Sequence, residues 1–302
     1  MLGAALLVAG LVLVVAGAEL FFEGVLRSAA RLRVAPFVLT AVVSGFELEN
    51  LAAGIAANAR GLEEAAAGTF LGGTTFLALG VAGLGAGVAP LRAALPPSVL
   101  AWTAAAPLPL LALALDGTLT RVDGGILLAW FALALGAIAR GGRDLLSPDP
   151  PRDRRLAAVR LLTGLGVLTA GGWLLGDGIE RVVRRFGISE SLLGNTAIAA
   201  AVEGEEVARV AVPARRGRGD VALANVLGTI VHFVAFNAGL IALVRPLELD
   251  GLTRALHLSV AVGSVLVFCA ATALGKGLGR PAGAALLVLY AGYVATAVVL
   301  SV

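Results

Sequence analysis

Hydrophobic residues run through this chain in long unbroken stretches. They follow neither the alternation of a half-buried strand nor the single stripe of a surface helix. Apolar runs fall at about 2–22, 35–59, 64–90, 97–116 and 122–140, and again at about 157–180, 191–213, 220–245, 253–275 and 281–301. Each approaches the roughly 20 residues a helix needs to cross a bilayer, so ten transmembrane helices are predicted. The stretch 142–156 carries Pro148, Pro150 and Pro151 among charged residues and reads as a linker. It separates an N-terminal unit, 1–141, from a C-terminal unit, 157–302, with five predicted spans in each.

Composition agrees with this pattern. The chain is 59% hydrophobic and 14% charged, with a mean hydropathy of +0.94, against about 25% charged residues in a typical soluble domain. The strands of an outer-membrane barrel would alternate apolar and polar residues, whereas these runs are continuous. The fold class is therefore an all-α polytopic membrane protein. The abundance of Gly and Ala suits close helix packing in lipid. One cysteine, Cys269, excludes an internal disulfide. Nothing resembles a soluble domain or a basic nucleic-acid surface. The run 2–20 lacks a basic leader and a clean cleavage site, and is read as a retained helix.

Charge placement sets the expected orientation. Odd-numbered loops hold Arg27, Arg31, Arg33, Arg92, Arg143, Arg152, Arg154, Arg155, Arg215, Arg216, Arg218, Lys276 and Arg280. Even-numbered loops hold fewer: Arg60, Arg121, Arg181, Arg184, Arg185, Arg245 and Arg254. The positive-inside rule places the odd loops and the linker in the cytoplasm and both termini outside, in a plasma or inner membrane. Because each unit has an odd number of spans, any repeat between them must be inverted.

The units do resemble each other. Gly45-Phe46-Glu47-Leu48-Glu49-Asn50 and Ala201-Val202-Glu203-Gly204-Glu205-Glu206 each follow an apolar run and precede a small-residue helix. An offset of 156 aligns Glu47 with Glu203, Glu49 with Glu205, Asn50 with Glu206 and Gly72 with Gly228. Carboxylates are costly in hydrocarbon, so acids inside a span are a functional-site hypothesis by default. A repeated pair of them points to a binding site at a repeat interface.

At these residues the sequence resembles the sodium/calcium exchanger family. That family carries Gly-Thr-Ser-x-Pro-Glu and then Gly-Asn-x-x-Gly-Ser-Asn in each of two repeats, which bind the transported cations at mid-membrane. The first motif maps onto 45–50 and 201–206, and the second onto 68–74 and 224–230. The resemblance implies ten helices in two inverted five-helix repeats, cation antiport by alternating access and no cofactor. This chain departs from the motifs. The family glutamate is Glu206 in one repeat and Asn50 in the other, and its serine becomes Glu47 and Glu203. Its proline becomes Glu49 and Glu205, and its asparagine becomes Thr69 and Asn225.

On a helix, residues three apart share a face. Glu203 with Glu206, and Glu47 with Asn50, are therefore expected to face one another across the repeat axis. A hard cation such as calcium takes six to eight oxygens from carboxylates, carbonyls and water. Glu47, Asn50, Glu203, Glu206, Thr69, Asn225 and Thr229 supply candidates, and Glu49 and Glu205 join them only if the helix is broken there. Crowded carboxylates raise one another's pKa, so cation entry should expel protons or competing cations. Glu63, Glu64 and Asp220 read as helix-starting acids. Glu19, Glu23, Asp177 and Glu180 read as interfacial or arginine-paired residues. His232 reads equally as a structural histidine or a proton relay.

The expected activity is thus exchange of a divalent cation, calcium first, for protons or sodium. The partners are inorganic cations and the lipid bilayer. A cation channel and a non-transporting cation sensor are alternatives on the same scaffold. An intramembrane enzyme is disfavoured, because no nucleophile or zinc motif accompanies the acids.

Overall fold

The computed structural model describes residues 2–45, 47–145, 156–185 and 204–300. The first unit is built from α1 (Leu2–Leu32), α2 (Pro36–Val43), α3 (Leu48–Ala59), α4 (Glu63–Thr75), α5 (Ala82–Val88), β1 (Leu91–Arg92), α6 (Pro97–Ala105), α7 (Leu108–Leu113), β2 (Thr118–Leu119) and α8 (Arg121–Gly141). The second is built from α9 (Ala157–Arg185), α10 (Gly204–Arg215), α11 (Gly219–Val231), α12 (Ala238–Val244), β3 (Leu247–Glu248), α13 (Ser259–Gly275), β4 (Gly277–Leu278) and α14 (Arg280–Leu300). Wide π-helical turns at Phe76–Val81 and His232–Asn237 join α4 to α5 and α11 to α12.

Among the described residues, eight helices are long and apolar enough to cross a membrane. Of the two remaining predicted spans, the one at 35–59 differs from the continuous helix expected. The run at 35–59 is two pieces, α2 of 8 residues and α3 of 12, or about 12 and 18 Å at 1.5 Å per residue. They part at 44–47. The run at 191–213 is described only from Gly204, where α10 begins. Pro36 at the start of α2 is tolerated because the first N–H groups of a helix have no intrahelical partner.

The element boundaries recur. Leu48 to Gly204 and Ala59 to Arg215 are each 156 residues apart, and the same shift carries α4 onto α11, one π turn onto the other, α5 onto α12 and β1 onto β3. A shift of 159 carries β2 onto β4 and α8 onto α14. The two short ladders are antiparallel and cross between units: β1 pairs with β4, and β2 with β3. The spans Glu63–Val88 and Gly219–Val244 are the most enclosed, at 72% and 83% buried, whereas Arg280–Leu300 is 11% buried. The central position therefore belongs to the small-residue helices that follow the acidic clusters.

α1 and α9 lie against one another along an antiparallel seam made by glycine. A Cβ on Gly10, Gly17 or Gly24 would stand 2.7, 2.6 or 2.4 Å from the backbone nitrogen of Leu175, Leu168 or Leu161. Reciprocally, Gly164 and Gly171 face the backbone of Phe21 and Val14 at 2.3 and 2.7 Å. The spacing of seven is two helical turns, so all contacts stay on one face. In lipid there is no hydrophobic drive between helices, and such close van der Waals approach is what holds them together.

Gly17→Leu is expected to separate this seam and destabilise the protein by about 1–3 kcal/mol, the range for overpacking a close-packed interface. Gly166→Ala, on the open face of α9, should be near neutral. Thermal unfolding in detergent measures both.

Candidate cation site

The break between α2 and α3 builds the first half of the site. Helix α2 ends at Val43, Ser44 caps it, and Glu47 stands at the N-cap of α3 with φ −88° and ψ 85°. A side chain at Gly45 would collide with His232, whose ring atoms Cγ and Nδ1 lie 2.1 and 2.2 Å from a Cβ built there. Only glycine lets the chain turn at this point beside that ring. The break frees backbone groups that cannot be left unpaired in an apolar interior. One of them, the Ser44 carbonyl, accepts a hydrogen bond from Arg209 Nη1 at 3.1 Å. The Ser44 hydroxyl donates to the Asn225 carbonyl at 3.3 Å.

The second half comes from the start of α10. Glu205 and Glu206 lie in its first turn, where the helix dipole favours negative charge. Arg209 follows one turn later, on the same face as both. Its guanidinium sits 2.6 Å from Glu205 Oε1 through Nη2 and 2.5 Å from Glu206 Oε1 through Nη1. The same Nη1 lies 3.8 Å from Glu47 Oε1 on the opposite half. Arg209 is 3% exposed, Glu47 4%, Glu205 2% and Glu206 1%, so all four charges are held away from water. The Phe21 ring of α1 closes the group, 5.8 Å from the guanidinium carbon.

Two amides extend the cluster. Asn50 Nδ2 donates to Glu47 Oε2 at 2.6 Å, and Asn225 Nδ2 donates to Glu206 Oε2 at 2.6 Å. Asn225 and Thr229 are fully buried one turn apart on α11. Among the described residues, neither Asn225 Oδ1 nor Thr229 Oγ1 has a hydrogen-bond partner. Buried oxygens without partners are uncommon and call for an explanation.

The expected site residues thus divide. Glu47, Asn50, Glu206 and Asn225 are brought together, with Thr229 on the same face of α11 as Asn225. Glu205 joins them as well. Within the regular helix α10 it stands four residues before Arg209, as Glu206 stands three before it, so both acids share the guanidinium without a break between them. Thr69 is not brought in. Its hydroxyl donates to the Ala66 carbonyl at 2.7 Å and lies against Gly54, seven residues or about 10 Å along α3 from Glu47. Glu203 lies outside the described residues, as does the side chain of Glu49.

Sequence reasoning missed Arg209. The available signal was a basic residue inside an apolar run, three and four positions after two acids. Among the described residues no three carboxylate or histidine groups converge on one point as a ready metal site. The space between Glu47, Glu205 and Glu206 is filled by the guanidinium instead.

Glu63 and Glu64 stand in the first turn of α4, and the side chain of Glu180 lies outside the described residues. Glu19 pairs with Arg216 at 2.5 Å and Asp177 with Arg181 at 3.1 Å, while Glu23 pairs with Arg27 and Arg160. Asp220 pairs with Arg218 at 2.6 Å in the first turn of α11. His232 Nδ1 donates to the Gly228 carbonyl at 2.8 Å, and its ring packs edge-on against Phe131 at 4.7 Å.

A polytopic helical bundle with buried carboxylates meeting at a broken helix is an arrangement that membrane transporters of inorganic cations use. A sequence profile of the family described as "Sodium/calcium exchanger protein" matches residues 2–139 and 156–299, and the chain belongs to that family. It is a multi-pass transporter and not an enzyme. It is 28% identical over 308 residues to a protein named as an antiporter, CaxA of Alkalimonas amylolytica, covering 94% of this chain and 95% of that one. It is 29% identical over 290 residues to the inner membrane protein YrbG of Escherichia coli strain K12, covering 89% of this chain and 88% of YrbG. A solved structure of the sodium-calcium exchanger NCX_Mj, soaked with sodium and strontium, superposes with a TM-score of 0.83 at 23% identity, over 98% of this chain and 99% of that one. A form soaked without sodium or calcium also gives 0.83.

Asn225→Ala is expected to leave Glu206 Oε2 buried without its donor and to lower stability by about 1–3 kcal/mol. Thr69→Ala loses only a local intrahelical bond and should cost less. Melting curves of the two purified variants compare them directly.

Proposed function

We propose that the protein is a secondary antiporter exchanging a divalent cation, calcium first, for sodium or protons by alternating access. The observation that carries this reading is the convergence of Glu47 and Glu206, one from each unit, on a helix break in the enclosed middle of the bundle. Asn225 and Thr229 add buried oxygens on the second unit's side. A calcium ion prefers such a set of carboxylate, amide and hydroxyl oxygens, completed by carbonyls and water. The break is what makes backbone carbonyls accessible at that depth, as in other transporters with discontinuous helices. Membership of the sodium/calcium exchanger family and likeness to a protein named as an antiporter support the same class of activity.

The architecture we propose is ten spans in two inverted five-helix repeats, 1–141 and 157–302, joined by a cytoplasmic linker at 142–156. The recurrence of element boundaries, at a shift of 156 residues through β1 and 159 from β2 onward, supports the repeat. The antiparallel packing of α1 on α9, the first helix of each unit, supports its inversion. So do the ladders, each of which joins loops of the same parity. Both termini then face outward from the inner membrane.

The test is flux into proteoliposomes loaded with calcium under opposing sodium or proton gradients. Gradient-driven calcium movement is expected in wild type. Glu47→Gln and Glu206→Gln should each lose at least about tenfold, the effect of about 1.4 kcal/mol, while Glu63→Gln, at the surface-facing start of α4, should transport normally. Downhill flux with no counter-ion requirement would identify a channel, and binding without flux a sensor.

A further inference from the structure

Arg209 has no place in the exchange reading so far, although it is the centre of the charged cluster. Its counterpart under the 156-residue shift is Ala53, so one unit supplies a buried guanidinium and the other supplies nothing. The guanidinium is held on three sides, by Glu205 at 2.6 Å, by Glu206 at 2.5 Å and by the Ser44 carbonyl at 3.1 Å, with Glu47 3.8 Å away. Carboxylates from both units and a carbonyl freed by a helix break are the ligands a small cation would take at that point. An arginine side chain cannot lose its charge at any physiological pH, nor can it dissociate from the chain.

We propose that Arg209 is a tethered cation, standing permanently in one of the monovalent-cation positions of the antiporter. This rests on the exchange reading and deepens it. The guanidinium neutralises one of the three described carboxylates at every stage of the cycle. The cluster therefore exchanges one monovalent charge fewer per divalent ion than it would without the arginine. The exchangeable position lies on the other side of Glu206, toward α11. There Asn225 holds Glu206 Oε2, and among the described residues Asn225 Oδ1 and Thr229 Oγ1 stand buried without hydrogen-bond partners. Glu205, bound to Arg209, serves the tethered cation, and Glu206 is shared between the two positions.

The experiment measures coupling. Reversal conditions for calcium exchange in proteoliposomes report the number of monovalent charges moved per calcium. Arg209→Gln should raise that number by one relative to wild type, and Arg209→Lys should keep the wild-type value. The charge-compensated double variant Arg209→Gln/Glu205→Gln should return to the wild-type value. An unchanged number in a transporting Arg209→Gln protein would overturn the proposal.

A second readout does not depend on transport. In detergent, adding sodium chloride in place of choline chloride should raise the melting temperature of Arg209→Gln more than that of wild type, because a free ion now fills the vacated position. The double variant should lose this sodium response. Equal sodium responses in wild type and Arg209→Gln would overturn the tethered-cation role. If wild type shows no exchange, the antiporter reading falls, while the sodium-dependent stability of Arg209→Gln still decides whether the guanidinium stands where a cation binds.

Discussion

Carboxylates buried in an apolar bundle must be compensated, and the rest of this structure is arranged around that requirement. Taking an ionised group out of water costs several kcal/mol even after relaxation. Here three acids from two halves of the chain are gathered in one place. A guanidinium, two amide donors and the polarity of an interrupted helix hold them there. At the interruption after α2, Arg209 and Asn225 take up the carbonyl and the hydroxyl of Ser44. Neither the break nor the acid cluster is stable alone, and each supplies the partner the other lacks.

The surrounding bundle keeps this polar centre dry and fixed in position. The glycine seam between α1 and α9 lets those long helices approach at backbone contact, and α1 carries the Phe21 ring that covers the guanidinium. The enclosed helices α4 and α11 present small residues, so α2 can lie directly on α11. A Cβ at Gly228 would stand 2.3 Å from the Ala41 carbonyl oxygen. The cross-unit ladders tie loops of one half to loops of the other at both ends of the bundle. Motion of one unit against the other therefore bears on the site directly, because its charged groups are divided between them.

Much of this was legible before any coordinates. The apolar spans, the acid clusters within them and the offset of 156 between those clusters are properties of the residue pattern, because a bilayer tolerates only long apolar helices and penalises charge within them. Two things were not legible. Periodicity marks 35–59 as one apolar run, since glycine and acids together do not announce where a helix stops; that Gly45 makes room for His232 at this point is visible only in the fold. Thr69 and Asn225 occupy equivalent positions, yet only Asn225 reaches an acid. Its equivalent contact partner is Glu206 in one unit and Asn50 in the other, and Asn50 turns instead to Glu47.

The sequence by itself determined that this is a polytopic helical membrane protein whose apolar runs carry acids in a recurring pattern. The reason is that hydrophobic length and the cost of buried charge are local quantities, readable residue by residue. Only the tertiary structure decided what stands among those acids. A charged residue three and four positions after two carboxylates is an ordinary helical neighbour in sequence. It becomes the centre of a site when a broken helix from the other unit brings a third carboxylate and a bare carbonyl to the same guanidinium. That meeting depends on which faces pack together, which no local pattern encodes.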